Sequence, residues 1–118
     1  MRFSLLAAVV LLGLAAGTAN AAKARFTVSP ATASAGAPVL VRGNAAPCTT
    51  GATVFAISRA FPGKQFGAEG ALTGKVHANG SFSFRGHVRA HLKPGRYAVT
   101  GRCGGGNLGV TAYLRVKR

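Results

Sequence analysis

From Phe26 to the C-terminus, apolar and polar residues change places at nearly every second position, in short runs separated by Gly, Pro and Asn. Side chains two apart share one face of a strand, so this period predicts half-buried β-strands. Phe26 and Val28 open the series, and Val39 and Val41 follow within VLVRG. Val54 to Ile57 is a nearly continuous apolar run, as a central strand would carry. Leu72 to Val76 is a weaker strand. Phe82, Phe84, Gly86 and Val88 then share one face, with Ser83, Arg85, His87 and Arg89 on the other. Tyr97, Val99, Gly101 and Cys103 alternate against Arg96, Ala98, Thr100 and Arg102. The last strand sets Leu108, Val110, Ala112, Leu114 and Val116 against Gly109, Thr111, Tyr113, Arg115 and Lys117. No sustained helical period occurs after residue 22.

Seven short strands at near-regular spacing predict an all-β fold, an antiparallel sandwich or small barrel. Asn79-Gly80 predicts a type I′ hairpin turn joining the fourth and fifth strands, because both residues tolerate positive φ. Pro94-Gly95 marks the next turn. The longest connection, Ala60 to Gly70, carries Phe61 and Phe66. Two aromatics in a loop either cap an open end of the core or form a contact site.

The first twenty-one residues follow a different rule. Arg2 is a basic start, Leu5 to Ala16 is an uncharged apolar run, and Ala19-Asn20-Ala21 supplies small residues for cleavage. This predicts a signal peptide over 1–21, removed after Ala21, since the apolar run is too short for a typical membrane span. The remaining 97 residues, 22–118, form a single domain that is secreted or periplasmic.

Charge adds a second constraint. Fifteen Lys and Arg face one acid, Glu69, for a formal +14. Loss of Arg2 with the leader subtracts one and leaves +13. Such a surface attracts polyanions over distance, and salt weakens the attraction. For an exported chain these partners are anionic envelope polymers or acidic lipids. No nucleic-acid motif is present, so no specific nucleic acid is expected.

Cys48 and Cys103 are the only cysteines. An even count behind an export signal predicts a disulfide. Next to Cys103, Gly104, Gly106 and Gly109 fit the spacing G-x-G-x-x-G. A dinucleotide site needs a helix starting at those glycines and an acid about 20 residues on. A strand pattern follows instead and the chain ends nine residues after Gly109. The glycines from Gly104 to Asn107 therefore read as a hairpin loop.

Several short motifs recur in a known order. They are Val28-Ser29-Pro30, G-x-P-V-x-V-x-G from Gly36 to Gly43, Ala78 to Phe82 as A-N-G-S-F, and P-G-x-Y-x-V from Pro94. Together they resemble the immunoglobulin-like β-sandwich domains of secreted and surface proteins of GC-rich bacteria. A more distant likeness is to neocarzinostatin-type apo-chromoproteins, which are typically acidic and carry two disulfides. The resemblance implies that Cys48 follows the second strand, that Cys103 ends the sixth, and that their bridge lies at one end of the sandwich. It places Tyr97 inward at the start of the sixth strand. It implies a spacer, adhesin or binding module rather than a catalyst.

The residue inventory also disfavours catalysis. With no Asp and one Glu, neither a Ser-His-Asp triad nor a carboxylate pair can be built. His77, His87 and His91 are weak candidates for zinc or copper, with His77 and His87 flanking the predicted hairpin. No cofactor is expected. Inward Tyr97, Val99, Leu114 and Val116 force their neighbours outward, so Arg96, Arg102, Arg115 and Lys117 are expected to form a cationic face with Tyr113 as a stacking partner. The sequence thus predicts a non-enzymatic cationic binding or structural module at the cell envelope. A membrane- or lipopolysaccharide-active effector is the alternative, and a small-ligand or metal carrier is a third.

Overall fold

The computed structural model describes residues 23–104 and 106–118. The predicted leader, 1–21, lies outside the described residues. Eight strands run in chain order: β1 (Arg25–Ser29), β2 (Thr32–Ser34), β3 (Pro38–Asn44), β4 (Thr53–Ser58), β5 (Gly70–Lys75), β6 (Ser81–His87), β7 (Gly95–Cys103) and β8 (Gly106–Lys117). They form two sheets, one ordered β1-β3-β6 and the other β2-β8-β7-β4-β5. Among the described residues the fold is all-β, with no helix.

The period-two pattern decides which side of each strand meets the core. Val28, Val41, Phe82 and Phe84 come from the first sheet. Val54, Val99, Leu114 and Val116 come from the second, and all eight belong to one buried cluster. Leu114 and Val99 are fully buried, and each such side chain contributes roughly 1.5–3 kcal/mol by leaving water. The inward rows interlock through glycines. A Cβ on Gly74 of β5 would collide with the Phe84 ring of β6, and one on Gly86 of β6 would collide with Leu72 of β5. Gly101 of β7 similarly makes room for Phe26 of β1. Bulk from one sheet fills a gap left by the other, as a close-packed interior requires.

Two expectations about strands change. The count is eight, because Thr32–Ser34 forms a short strand parallel to β8, with Ala33 buried. Its sequence, Thr-Ala-Ser, has one apolar residue and no alternation to read. This pair is also parallel, while the other strand pairs are antiparallel.

The second change concerns Asn79-Gly80. The segment does turn, with the Gly80 amide donating to the His77 carbonyl at 2.8 Å. However, β5 and β6 lie in different sheets, so the turn carries the chain across the core rather than closing a hairpin. Gly80 has φ +85, while Asn79 is outside the positive-φ set that type I′ demands. Asn79 acts through its side chain instead, its Oδ1 accepting from the Ser81 amide at 3.0 Å and hydroxyl at 2.6 Å. This is the local bonding that makes Asn favourable in turns.

Covalent and polar ties finish the frame. Cys48 and Cys103 are bridged, with Cα atoms 6.2 Å apart. The extra strand makes these the loop after the third strand and the end of the seventh. Tyr97, at the start of β7, packs against the core and its hydroxyl donates to the Lys93 carbonyl at 2.6 Å. Phe61 is fully buried and caps the core, whereas Phe66 lies outside it. Arg89, expected to point into solvent, is half-buried and clamps the β4–β5 connection. Its guanidinium donates to the carbonyls of Phe61 at 2.8 Å and Gly63 at 3.0 Å, and its Nε to that of Arg59 at 3.3 Å. The alternation rule orients a side chain at the strand end but cannot foresee a loop folding back to meet it.

Candidate functional site

The outward face of the five-stranded sheet carries the expected basic residues. Strand register decides which of them meet. Arg96 of β7 lies directly opposite Arg115 of β8, and Tyr113 lies opposite Ala98. The small Ala98 leaves the neighbouring space open. Arg96 leans diagonally across it, its guanidinium carbon 3.8 Å from the centre of the Tyr113 ring. Stacking of this kind is worth roughly 0.5–1 kcal/mol at an exposed site. Tyr113 remains 48% exposed.

Two like charges directly across an antiparallel pair repel. Arg96 and Arg115 therefore form a position that an anion would relieve. The unforeseen β2 extends it. Thr32 pairs with Arg115 and Ser34 with Lys117, so hydroxyl residues line the sheet edge beside the basic ones. Lys117 is two residues beyond Arg115 on the same face, roughly 7 Å along the strand. Arg96, Tyr113, Arg115 and Lys117 are thus one cluster.

Arg102 is not part of it. Six residues along β7 from Arg96, it sits about 20 Å away. There it faces Phe55 of β4 and is half-buried. Phe55 in turn meets Phe66 edge to face, with ring centres 5.7 Å apart. Along β7 the outward residues between Arg96 and Arg102 are the uncharged Ala98 and Thr100, so Arg102 stands apart from the basic cluster.

The histidines also separate. His77 follows β5, beside Ser81 at the start of β6, while His87 ends β6, roughly 20 Å away along the strand. His91 lies in the next connection, with φ 61. Among the described residues no three His, Cys, Asp or Glu side chains gather as a metal site would require. The glycine spacing near Cys103 resolves into strand geometry. Cys103 pairs with Gly106 across a tight turn, and Gly109, φ +76, lies where the β7–β8 register slips.

No family model matches the chain, and no curated protein matches it significantly. Among solved structures it is similar to Pseudomonas fluorescens alkylpurine DNA glycosylase AlkC bound to DNA containing an abasic site analog. That likeness has a TM-score of 0.55 and 20% identity, over 81% of this chain and 30% of the other. It is a likeness of fold, and the chain spans less than a third of the length of the protein it matches.

Proposed function

We propose that this protein is an exported immunoglobulin-like β-sandwich module that binds anionic envelope polymers without catalysing a reaction. The immunoglobulin-like assignment is supported by the strand order. The order β1-β3-β6 against β2-β8-β7-β4-β5 corresponds to strands A-B-E against A′-G-F-C-C′ in that architecture. The Tyr97 hydroxyl bond to a carbonyl four residues upstream is the corner expected at the start of strand F. Export is supported by the apolar leader and by the closed disulfide, which suits an oxidising compartment.

The observation that carries the binding assignment is the pairing of Arg96 with Arg115 beside the exposed Tyr113 ring. Two forked cations take the oxygens of one phosphate or carboxylate, and the ring supplies a flat surface for an adjoining sugar. Lys117 adds field, and Thr32 and Ser34 add hydroxyl donors at the edge.

The test is binding of the chain from Ala22 to purified envelope polymers at two salt concentrations. Affinity should fall at least about tenfold between 50 and 200 mM salt, as counterion release requires. Arg96→Ser with Arg115→Ser should lower it about tenfold at fixed salt. Binding indifferent to salt and to both substitutions would overturn the assignment. The solved neighbour is bound to DNA, so duplex DNA is the competitor, and a clear preference for the duplex would also overturn it.

A further inference from the structure

The outward face of the other sheet has a basic pattern of its own. Its register is Arg25 opposite Asn44 opposite Ser81, then Thr27, Arg42 and Ser83, then Ser29, Leu40 and Arg85. Each row holds one arginine, and each step moves it over one strand and along two residues. Successive arginine Cα atoms are therefore about 8 Å apart on a straight diagonal. All three side chains are exposed. Arg89 shows what an arginine recruited by the fold looks like, with its donors on three loop carbonyls. Arg25, Arg42 and Arg85 instead stand in solvent.

Hydroxyls flank these charges. Thr27 and Ser83 sit on either side of Arg42 in its row. Arg25, Arg42, His77 and Ser83 line a groove of about 530 Å³ at one end of the diagonal, together with two residues of the inward rows, Phe26, which is half-buried, and Phe82, which is buried. The chain's one acid, Glu69, lies in the β4–β5 connection of the opposite sheet. Each neighbouring pair on the diagonal lies within about one Debye length and repels, with no carboxylate on the face to offset it. A chain of regularly spaced anions removes that repulsion at all three places at once.

The residue types suit a phosphate ligand. A guanidinium fork takes two phosphate oxygens, and neighbouring Ser and Thr hydroxyls donate to others, the usual partition of phosphate contacts. Single-stranded nucleic acids also need aromatic platforms for their bases. The outward residues of β1, β3 and β6 include no Phe, Tyr or Trp. We infer that the outward face of the three-stranded sheet is a second polyanion site. Its ligand is a flexible, base-free phosphodiester polymer of the polyol phosphate class. The two sheets share one core, so their outward faces look in opposite directions. Resting here on the proposed role of the Arg96–Arg115 face, the domain bridges two polymer chains, one on each sheet.

The experiment uses the exported chain and short synthetic poly(glycerol phosphate) oligomers, with stoichiometry read by calorimetry. The native protein binds two oligomers, and long polymer becomes turbid on mixing. The variant Arg25→Ser, Arg42→Ser, Arg85→Ser binds one oligomer and no longer gives turbidity, with its thermal midpoint unchanged. Should the triple variant fail to fold, Arg42→Ser alone weakens the second site about tenfold. A charge-matched variant, Lys64→Gln, Lys93→Gln, Arg118→Gln, keeps two. One oligomer on both the native protein and the triple variant, two on the triple variant, or equal loss in the charge-matched variant would each overturn the inference, whereas one on the native protein and none on the triple variant would overturn only the Arg96–Arg115 reading. Equal affinity of this face for oligo(dT) would overturn its base-free ligand. If Arg96→Ser with Arg115→Ser leaves the count at two while the triple variant lowers it, the Arg96–Arg115 reading fails and the site on the three-stranded sheet stands.

Discussion

Tyr97 fixes a corner of the molecule through one oxygen. Its hydroxyl donates to the Lys93 carbonyl across Pro94-Gly95, at the point where the chain enters β7. Tyr97→Phe keeps the ring in the core and removes only that donor. The expected cost is about 1 kcal/mol, read as a lower denaturant midpoint with unchanged slope. An unaltered midpoint would mean that water replaces the donor fully. The inward position of Tyr97 is legible from P-G-x-Y-x-V, but its partner is not, because alternation gives direction and not contact. Asn79 and Arg89 illustrate the same limit. Asn79 acts through side-chain bonds to Ser81 two residues on, and Arg89 through bonds to a loop brought near only by folding.

Strands are placed by what their inward faces can fit against. Gly74 and Gly86 look like weak points in β5 and β6, since glycine adds no packing surface of its own. Their vacancy receives Phe84 and Leu72 from the facing sheet. Gly74→Ala forces a methyl group into the Phe84 ring. It should destabilise the protein by about 1–3 kcal/mol, the usual cost of overpacking, measured by chemical unfolding. A neutral or stabilising result would show that the sheets lie further apart than described. Seven of the eight strands are legible, five of them from alternation with their inward faces, and β4 and β5 as apolar segments without one. β2 was not, because three residues of Thr-Ala-Ser carry no period. The sheet to which β5 belongs was not legible either. A tight turn after it is compatible with a hairpin or with a crossing between layers, and Asn-Gly spacing does not distinguish them.

The whole molecule is held by a small core and one cross-link. The Cys48–Cys103 bridge spans 55 residues, and loop-closure entropy assigns a loop of that length about 4 kcal/mol. Domains of this size have total stabilities of roughly 5–15 kcal/mol. Replacing both cysteines with Ser should therefore remove a large share of the stability. Reductant should lower the native unfolding midpoint and leave that of the double variant unmoved. Equal midpoints with and without reductant would show that the bridge does not contribute. The sequence by itself determined the all-β class, the inward and outward sets of residues, and the strong positive charge. These follow from local rules, a side-chain period of two and the count of ionisable groups. Only the tertiary structure decided that Arg96 meets Arg115 and Tyr113 while Arg102 stands apart, and that Arg25, Arg42 and Arg85 form a diagonal. Those neighbours come from different strands, and their meeting depends on strand order and register, which sequence separation does not encode.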